Sequence, residues 1–426
     1  MNNNNRNNGF AVRAVRQHLL ELSVYRLTPE RLFADLRQAF YDARRHKSNK
    51  PYIHSFEAHL EENLRSLCDE LYSRSYKPQP SSCFIITDPK KREVFAADFR
   101  DRIVHHLYYN YTHTMYERTF IHDSYSCIRG RGTHYGINRL EQHIRQESQN
   151  YTVPCYVLKM DVRGYFMHID RHLLLDNCLA TIGNMAQHKV SKHLNIKWQD
   201  VVDIDFVEYL TEVIVMTDPT ANCRVKGEMG DWSGLPHDKS LFHSPANCGL
   251  PIGNLTSQLF SNVYLNVLDQ YMKRQLRCRH YGRYVDDFYV VSTDKEWLLS
   301  LIPNVRKMLK ERLHLDLHEG KVIISSVWHG VEFLGAWLKP CRIYMSRNCV
   351  GRISTKMSNL ASADTCNWYS SLNSYCGLLS HGNNYTLRRK LLLCNDEFGR
   401  YGVFDLKLRH YYYAKKKAEQ PLPWPK

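Results

Sequence analysis

Tyr281-Gly282-Arg283-Tyr284-Val285-Asp286-Asp287-Phe288-Tyr289-Val290-Val291 sets two adjacent acids inside an apolar, β-prone run. Neighbouring strand residues point to opposite faces, and a carboxylate buried without a partner is costly. A tight hairpin resolves the conflict, with the acids at the turn and the apolar residues packed on either side. Taken alone, Asp286-Asp287 also fits an ordinary acidic turn. A second stretch, Tyr156-Val157-Leu158-Lys159-Met160-Asp161-Val162-Arg163-Gly164-Tyr165-Phe166, reads as a strand that ends in an acid. Two strands delivering carboxylates to one sheet edge make a site for hard divalent cations, which take oxygen ligands and keep waters or phosphates. Two such ions roughly 3.5–4 Å apart can activate an attacking hydroxyl and stabilise a leaving pyrophosphate. In this reading Asp161 and Asp286 bridge both ions, the Val162 carbonyl completes the shell, and Asp287 is a weaker or outer ligand.

Working outward, short apolar runs alternate with helical patterns between Phe84 and Leu338, which predicts an α+β core. Strands are expected at Tyr156-Val157-Leu158, Phe288-Tyr289-Val290-Val291 and Lys321-Val322-Ile323-Ile324. The chain before Ser82 reads as helical: Leu32, Leu36, Phe40 and Tyr41 recur at helical spacing, as do Phe56, Leu60, Leu64, Leu67 and Leu71. Lys50-Pro51 separates the two patterns, and the Asn-rich residues Met1 to Asn8 are expected as a loose tail. Beyond Cys341 the chain is polar, basic and helix-leaning. The expected division is a helical extension at 1–82, a catalytic region at 83–340, and a basic helical region at 341–426.

Composition narrows the partners. The 426 residues are 43% hydrophobic and 24% charged, which rules out wholesale disorder. A net charge of +15 favours a polyanion. From Cys341 onward, 14 Lys and Arg stand against five Asp and Glu, so a fifth of the chain holds more than half of the surplus. Its densest points, Arg388-Arg389-Lys390 and Lys415-Lys416-Lys417, flank Tyr411-Tyr412-Tyr413. Cations for phosphates beside aromatics for bases suit a nucleic-acid strand, and a solvated basic face is the plain alternative. The stretch from Leu241 to Leu268 has no charged residue but is broken by His243, Pro245, Gly249 and Pro251, so no membrane span is expected. The first residues do not read as a signal peptide. Thirteen cysteines without a C-x-x-C pair read as small buried hydrophobes in a reducing cytoplasm.

These features together resemble a reverse transcriptase. Asp161 to Phe166 resembles the D-x-x-x-[FY]-F motif and Tyr284 to Asp287 the Y-x-D-D box. The stretch Gly249-Leu250-Pro251-Ile252-Gly253-Asn254-Leu255-Thr256-Ser257-Gln258 resembles G-x-P-x-G-x-x-x-S, which lies under the nascent base pair. Leu315-Asp316-Leu317-His318-Glu319-Gly320-Lys321 resembles the later palm motif, and Phe333-Leu334-Gly335 the primer grip. The resemblance implies a right-hand polymerase with fingers, an antiparallel palm sheet and a helical thumb. It also implies two Mg²⁺ ions as cofactors, held by Asp161, Asp286 and Asp287. By the same resemblance Lys91 and Arg92, with Lys90 adjacent, hold the triphosphate of the incoming dNTP, which suits the bidentate grip of Arg. Phe166 becomes the steric gate against a ribose hydroxyl, and Pro251, Ile252, Gly253 and Gln258 line the nucleotide site. Lys321 protonates pyrophosphate, screens it, or is a plain strand-end lysine. Arg100 and Arg102 contact template or form structural pairs. Tyr284, Phe333, Leu334, Gly335, Arg388, Arg389 and Lys390 are the other template and primer contacts.

Further motifs resemble enzymes of diversity-generating retroelements and neighbouring bacterial unknown groups, several of which serve phage defence. These are Arg92-Glu93-Val94, Asp123-Ser124-Tyr125-Ser126-Cys127, Gly130-Arg131-Gly132-Thr133-His134, Leu235-Pro236 with Lys239 to Phe242, and Ser374 to His381. The resemblance implies a bacterial, cytoplasmic enzyme copying a dedicated non-coding RNA into cDNA in defence, with mutagenic retrohoming as the alternative and a non-catalytic RNA scaffold or maturase as a third. Priming falls to an RNA 3′-end or to a tyrosine among Tyr411, Tyr412 and Tyr413; an accessory protein or homo-oligomer is a further partner. Neither a His-Asn-His endonuclease nor an RNase H domain is expected. Many replicative relatives have Gln where Ile252 stands. Ile cannot hydrogen-bond the incoming nucleotide, so relaxed fidelity is expected.

Overall fold

The computed structural model describes residues 27–88, 90–191, 195–361, 368–393 and 396–413, with Tyr25 and His193. The Asn-rich tail and Lys415-Lys416-Lys417 lie outside the described residues. The fold is α+β, as expected. It divides into two compact units, each assembled from separated segments, so the compact bodies are not consecutive blocks of sequence.

The first unit comprises Met1–His122, Val162–Gln275 and Val305–Leu317. Its helix Pro29–Arg44 starts where sequence demands: Pro29 takes the first helical position and the Thr28 hydroxyl accepts the Arg31 N–H at 3.3 Å. Leu32, Leu36, Ala39 and Phe40 form its buried stripe, packed on the helices Leu60–Tyr72 and Phe99–Glu117. Tyr41, expected with that stripe, is 52% exposed; its ring only edges Phe40, with centroids 5.4 Å apart. Pro51 opens the next helix, Pro51–Glu57. The strands Ser82–Ile86 and Arg92–Ala96 form an antiparallel hairpin, extended in parallel by the short strand Arg224–Val225. The helix Leu255–Gln270 is buried along most of its length.

The second unit comprises Asp123–Asp161, Leu276–Asn304 and His318–Lys426. Its centre is a four-stranded antiparallel sheet. We label the strands β1 (Tyr156–Asp161), β2 (His280–Tyr284), β3 (Asp287–Ser292) and β4 (Ile323–Ser326); their order is β2-β3-β1-β4. Val157, Leu158 and Met160 of β1 are all buried, so both faces of the central strand are covered. β4 starts two residues later than expected, because Lys321 closes a short 3₁₀ turn, Glu319–Lys321.

One sheet face packs Tyr289, Val157 and Val291 against Ile137, Leu140 and Ile144 of the helix Thr133–Glu147. A buried polar chain runs through this layer. The Tyr125 and Tyr289 hydroxyls are 2.8 Å apart, Tyr289 meets His143 Nδ1 at 3.1 Å, and Arg139 Nε donates to Asp123 Oδ1 at 2.7 Å. Burial alone would raise the Asp123 carboxyl, but hydrogen bonds from His143 and Arg139 more than offset it and hold it well below the usual range.

A three-stranded meander, Val331–Phe333, Ala336–Lys339 and Arg342–Met345, follows. The C-terminal helices Arg347–Ala361, Trp368–Leu379 and Tyr385–Leu393 close on Leu372, Cys376, Leu392 and Phe398. Where only helix was expected, Gly402–Phe404 and Tyr411–Tyr413 pair as a hairpin. Tyr411 is buried and its hydroxyl donates to the Phe398 carbonyl at 2.7 Å, which removes it as a priming hydroxyl, whereas Tyr412 is 57% exposed. The cysteine expectation needs one correction. Cys68, Cys83, Cys155, Cys178, Cys278 and Cys376 are buried, but Cys127 and Cys341 are exposed. Among the described residues, no helix is long and apolar enough to cross a membrane.

Candidate active site

Antiparallel pairing of β1 with β3 places Asp161 directly opposite Asp287. Tyr284 faces Asp287 across the β2–β3 hairpin, so Val285 and Asp286 are its two turn residues. The three acids expected from two distant stretches therefore meet at one sheet edge. Like charges directly opposite on paired strands are destabilising. Asp161 is only 5% exposed, and Asp286 and Asp287 are half-buried. Burial, then the Asp286 and Asp161 charges, push the Asp287 carboxyl up to about 7.

The turn itself is strained. Val285 has φ +55°, a left-handed conformation that β-branched residues rarely adopt. Residues on either side hold it. The Val285 N–H donates to Ser126 Oγ at 3.2 Å, and Arg283 Nη1 donates to the Val285 carbonyl at 2.9 Å. Arg283 is fully buried, and the segment around Ser124 runs beside it, with the Tyr125 N–H donating to the Arg283 carbonyl at 3.0 Å. Nothing local in Asp123 to Cys127, or in the apolar run around Arg283, marks Ser126 and Arg283 as supports of this turn.

Lys321 Nζ donates to Asp161 Oδ2 at 2.9 Å. Burial opposes its charge, but that hydrogen bond and the surrounding carboxylates raise its pKa overall. The His318 N–H donates to the Asp161 carbonyl at 2.8 Å, which fixes the loop that delivers Lys321. Phe333 is buried edge-on against Tyr289, with centroids 5.1 Å apart. Leu334 (φ +48°) and Gly335 (φ +80°) form the two-residue turn into the next strand. A Cβ on Gly335 would meet Cys349 Sγ at 2.9 Å. Arg388 is buried, while Arg389 and Lys390 are exposed.

In the first unit, a different set of expected residues comes together. Phe166 and Ile252 pack on the same small cluster of Cys83, Phe95, Met167 and Leu241. The Leu250 N–H donates to the Phe166 carbonyl at 2.8 Å, and the Phe95 N–H to the Ile252 carbonyl at 3.0 Å. Gly253 has φ +128°, and a Cβ there would meet Val94 Cγ1 at 2.9 Å. Pro251 is half-buried, Gln258 is exposed, and Val162 bridges to Leu317. Lys91 Nζ donates to the Ser233 carbonyl at 2.7 Å, and Arg92 is exposed at the start of its strand.

Glu93 was missed as an organiser. It is 1% exposed and accepts from Trp232 Nε1 at 2.7 Å, Ser240 Oγ at 2.9 Å and the Leu241 N–H at 2.6 Å. It thus ties the Arg92-Glu93-Val94 hairpin to the Leu235–Phe242 segment. Arg100 and Arg102 have intramolecular partners. Arg100 pairs with Glu70, and Arg102 Nε donates to the Ala97 carbonyl at 2.8 Å.

Among the described residues, no group of three or more His, Cys, Asp or Glu side chains is gathered into a ready set of metal ligands. The donor chemistry fits a divalent cation nonetheless: hard oxygens only, opposed like charges, and a lysine ammonium already drawn onto one of them.

Comparison with known proteins gives the family. Residues 88–338 match the family described as reverse transcriptase (RNA-dependent DNA polymerase). Protein YkfC of Escherichia coli (strain K12) is 24% identical over 313 residues, covering 66% of this chain and 72% of its own. Among solved structures, telomerase from Candida albicans in complex with a fragment of telomeric RNA is 10% identical, with TM-score 0.41, covering 67% of this chain and 51% of that one. Apo telomerase from Candida tropicalis is also 10% identical, with TM-score 0.46, covering 71% of this chain and 53% of that one. This chain thus spans about half the length of those telomerase chains. With more than half of its length matched, including every carboxylate of the site just described, the chain belongs to the reverse transcriptase family.

Proposed function

We propose that the protein is an RNA-directed DNA polymerase that adds deoxynucleotides to a primer 3′-end on an RNA template. The single observation carrying this reading is the register that sets Asp161 opposite Asp287, with Asp286 in the adjoining turn. Asp161, Asp286 and Asp287 would hold two Mg²⁺ ions, with the Val162 carbonyl contributing. Those ions supply activation of the attacking hydroxyl and charge neutralisation on the pyrophosphate. The protein's own part is to fix the acids at one end of the sheet and its adjoining turn, and to present Lys321 as a charged donor on Asp161. Phe166 and Ile252, fixed on one cluster, are proposed as the sugar gate and the base-pair floor. Lys91 and Arg92 are proposed as triphosphate contacts, and Arg389 and Lys390 as strand contacts.

The test is incorporation of labelled dNTP on a primed RNA. Asp286→Ala and Asp287→Ala should each lower it by at least about 100-fold; undiminished synthesis would refute the assignment and favour an RNA-binding scaffold.

For its biology, the resemblance of Arg92-Glu93-Val94, Asp123 to Cys127 and Gly130 to His134 to motifs of the bacterial unknown groups supports cDNA synthesis from a cognate non-coding RNA in phage defence. Sequencing the nucleic acid that copurifies from the host tests this. A single compact RNA with its cDNA agrees. Products with a template repeat and scattered errors would point to a diversity-generating retroelement instead.

A further inference from the structure

Arg388, expected as a template or primer contact, is 95% buried within the C-terminal part of the second unit, at the edge of a cavity of about 400 Å³. The cavity also presents Lys407 and Arg409, both exposed, from the loop between the last two strands, and Asn383, Tyr385 and Thr386 from the start of the helix Tyr385–Leu393. These cations come from two stretches of sequence about twenty residues apart and meet only in the fold.

Three features leave this cluster short of negative charge. The Nε of Arg388 is buried and has no hydrogen-bond partner; its Nη1 reaches only the Leu379 carbonyl, at 3.4 Å. Among the described residues no ion pair is formed by Arg388, Lys407 or Arg409. Asp405, the nearby acid, spends Oδ1 on the backbone N–H groups of Arg409 and His410. Burial, then the Arg409 charge, lower the Arg388 pKa, and the opposing pull of Cys376, Asp405 and Tyr385 does not make up the difference. The first-turn N–H groups of the helix, which have no intrahelical partners, add to the positive field. Tyr385 is 52% exposed and lies beside the Arg388 guanidinium, whose carbon is 5.6 Å from the ring centroid.

We propose that this cavity is a binding site for the terminal phosphate monoester of a nucleic-acid strand, with Tyr385 offering its ring to the adjoining base. A monoester carries close to two negative charges and three acceptor oxygens, which matches three cations at one point, whereas an internal diester carries one. A terminal group also projects far enough to reach a guanidinium as deep as that of Arg388. Naming a nucleic acid as the source rests on the polymerase reading; affinity for a phosphate monoester does not.

The test is anisotropy of a short 3′-labelled RNA carrying either a 5′-phosphate or a 5′-hydroxyl, added to the full-length protein. The phosphorylated strand should bind about tenfold more tightly. Lys407→Gln and Arg409→Gln, at exposed positions that leave the core untouched, should each remove most of that difference. Equal binding of the two strands overturns the proposal. So does an equal loss for both strands in the variants, which would place an internal phosphodiester there. A nucleoside 5′-monophosphate competing as well as the phosphorylated strand overturns the strand-end assignment. Primer extension by the same preparation reads the polymerase reading separately, so either can fail alone.

Discussion

At the residue scale, Asp287 and Ile252 make opposite kinds of claim. Asp287 is buried against two like charges, so in the metal-free fold its pKa lies near 7, above that of an unfolded chain. The folded state then holds the extra proton between about pH 4 and pH 7, and this carboxyl's contribution to stability falls as pH rises through that window. Without divalent cation, Asp287→Asn should therefore raise the melting temperature relative to wild type at pH 8, with the difference vanishing near pH 4. Mg²⁺ should raise the wild-type melting temperature at pH 8 more than that of the variant. Thermal melts at both pH values, with and without Mg²⁺, check the sign. Ile252 makes a claim about specificity. An apolar side chain cannot hydrogen-bond an incoming base, so Ile252→Gln should lower misincorporation, by roughly tenfold if one hydrogen bond is recovered. Unchanged error rates in a single-nucleotide insertion assay would show that Ile252 does not set fidelity.

At the element scale, the β2–β3 hairpin stores strain at Val285 that Ser126 and Arg283 hold in place. Ser126→Ala should cost about 1 kcal/mol in denaturant unfolding, the worth of one hydrogen bond. It should also raise the Mg²⁺ concentration for half-maximal extension, because the turn carries Asp286. A stability loss with unchanged Mg²⁺ dependence would make Ser126 a structural residue only. The hairpin was legible in sequence because its signal is local: two acids bracketed by apolar β-formers within eleven residues. The clamp was not. Ser126 stands 159 residues from Val285, and Glu93 stands 139 from Trp232. A buried polar side chain far along the chain from its partner leaves no periodic trace. Tyr411–Tyr413 was missed as a strand because three tyrosines beside a run of lysines read first as charge, although their alternation, Tyr411 in and Tyr412 out, is that of a strand.

At the scale of the whole molecule, the sequence divides into consecutive stretches, whereas each compact unit of the fold is stitched from three. Element type was readable where periodicity was strong, as in the helices Pro29–Arg44 and Leu60–Tyr72. Periodicity says nothing of how β1 joins β3 and β4, whose paired positions lie more than a hundred residues apart. The pairing of Asp161 with Asp287 is the exception that mattered, since each acid sat at the end of a recognisable strand. The central claim is that these opposed carboxylates serve metal-dependent, RNA-templated DNA synthesis. The most direct measurement is single-nucleotide extension of a DNA primer on an RNA template across a Mg²⁺ titration, for wild type and Asp161→Asn. The account predicts saturable Mg²⁺ dependence in the wild type and no extension in the variant at any concentration. Extension by Asp161→Asn with the wild-type rate and Mg²⁺ dependence would contradict it.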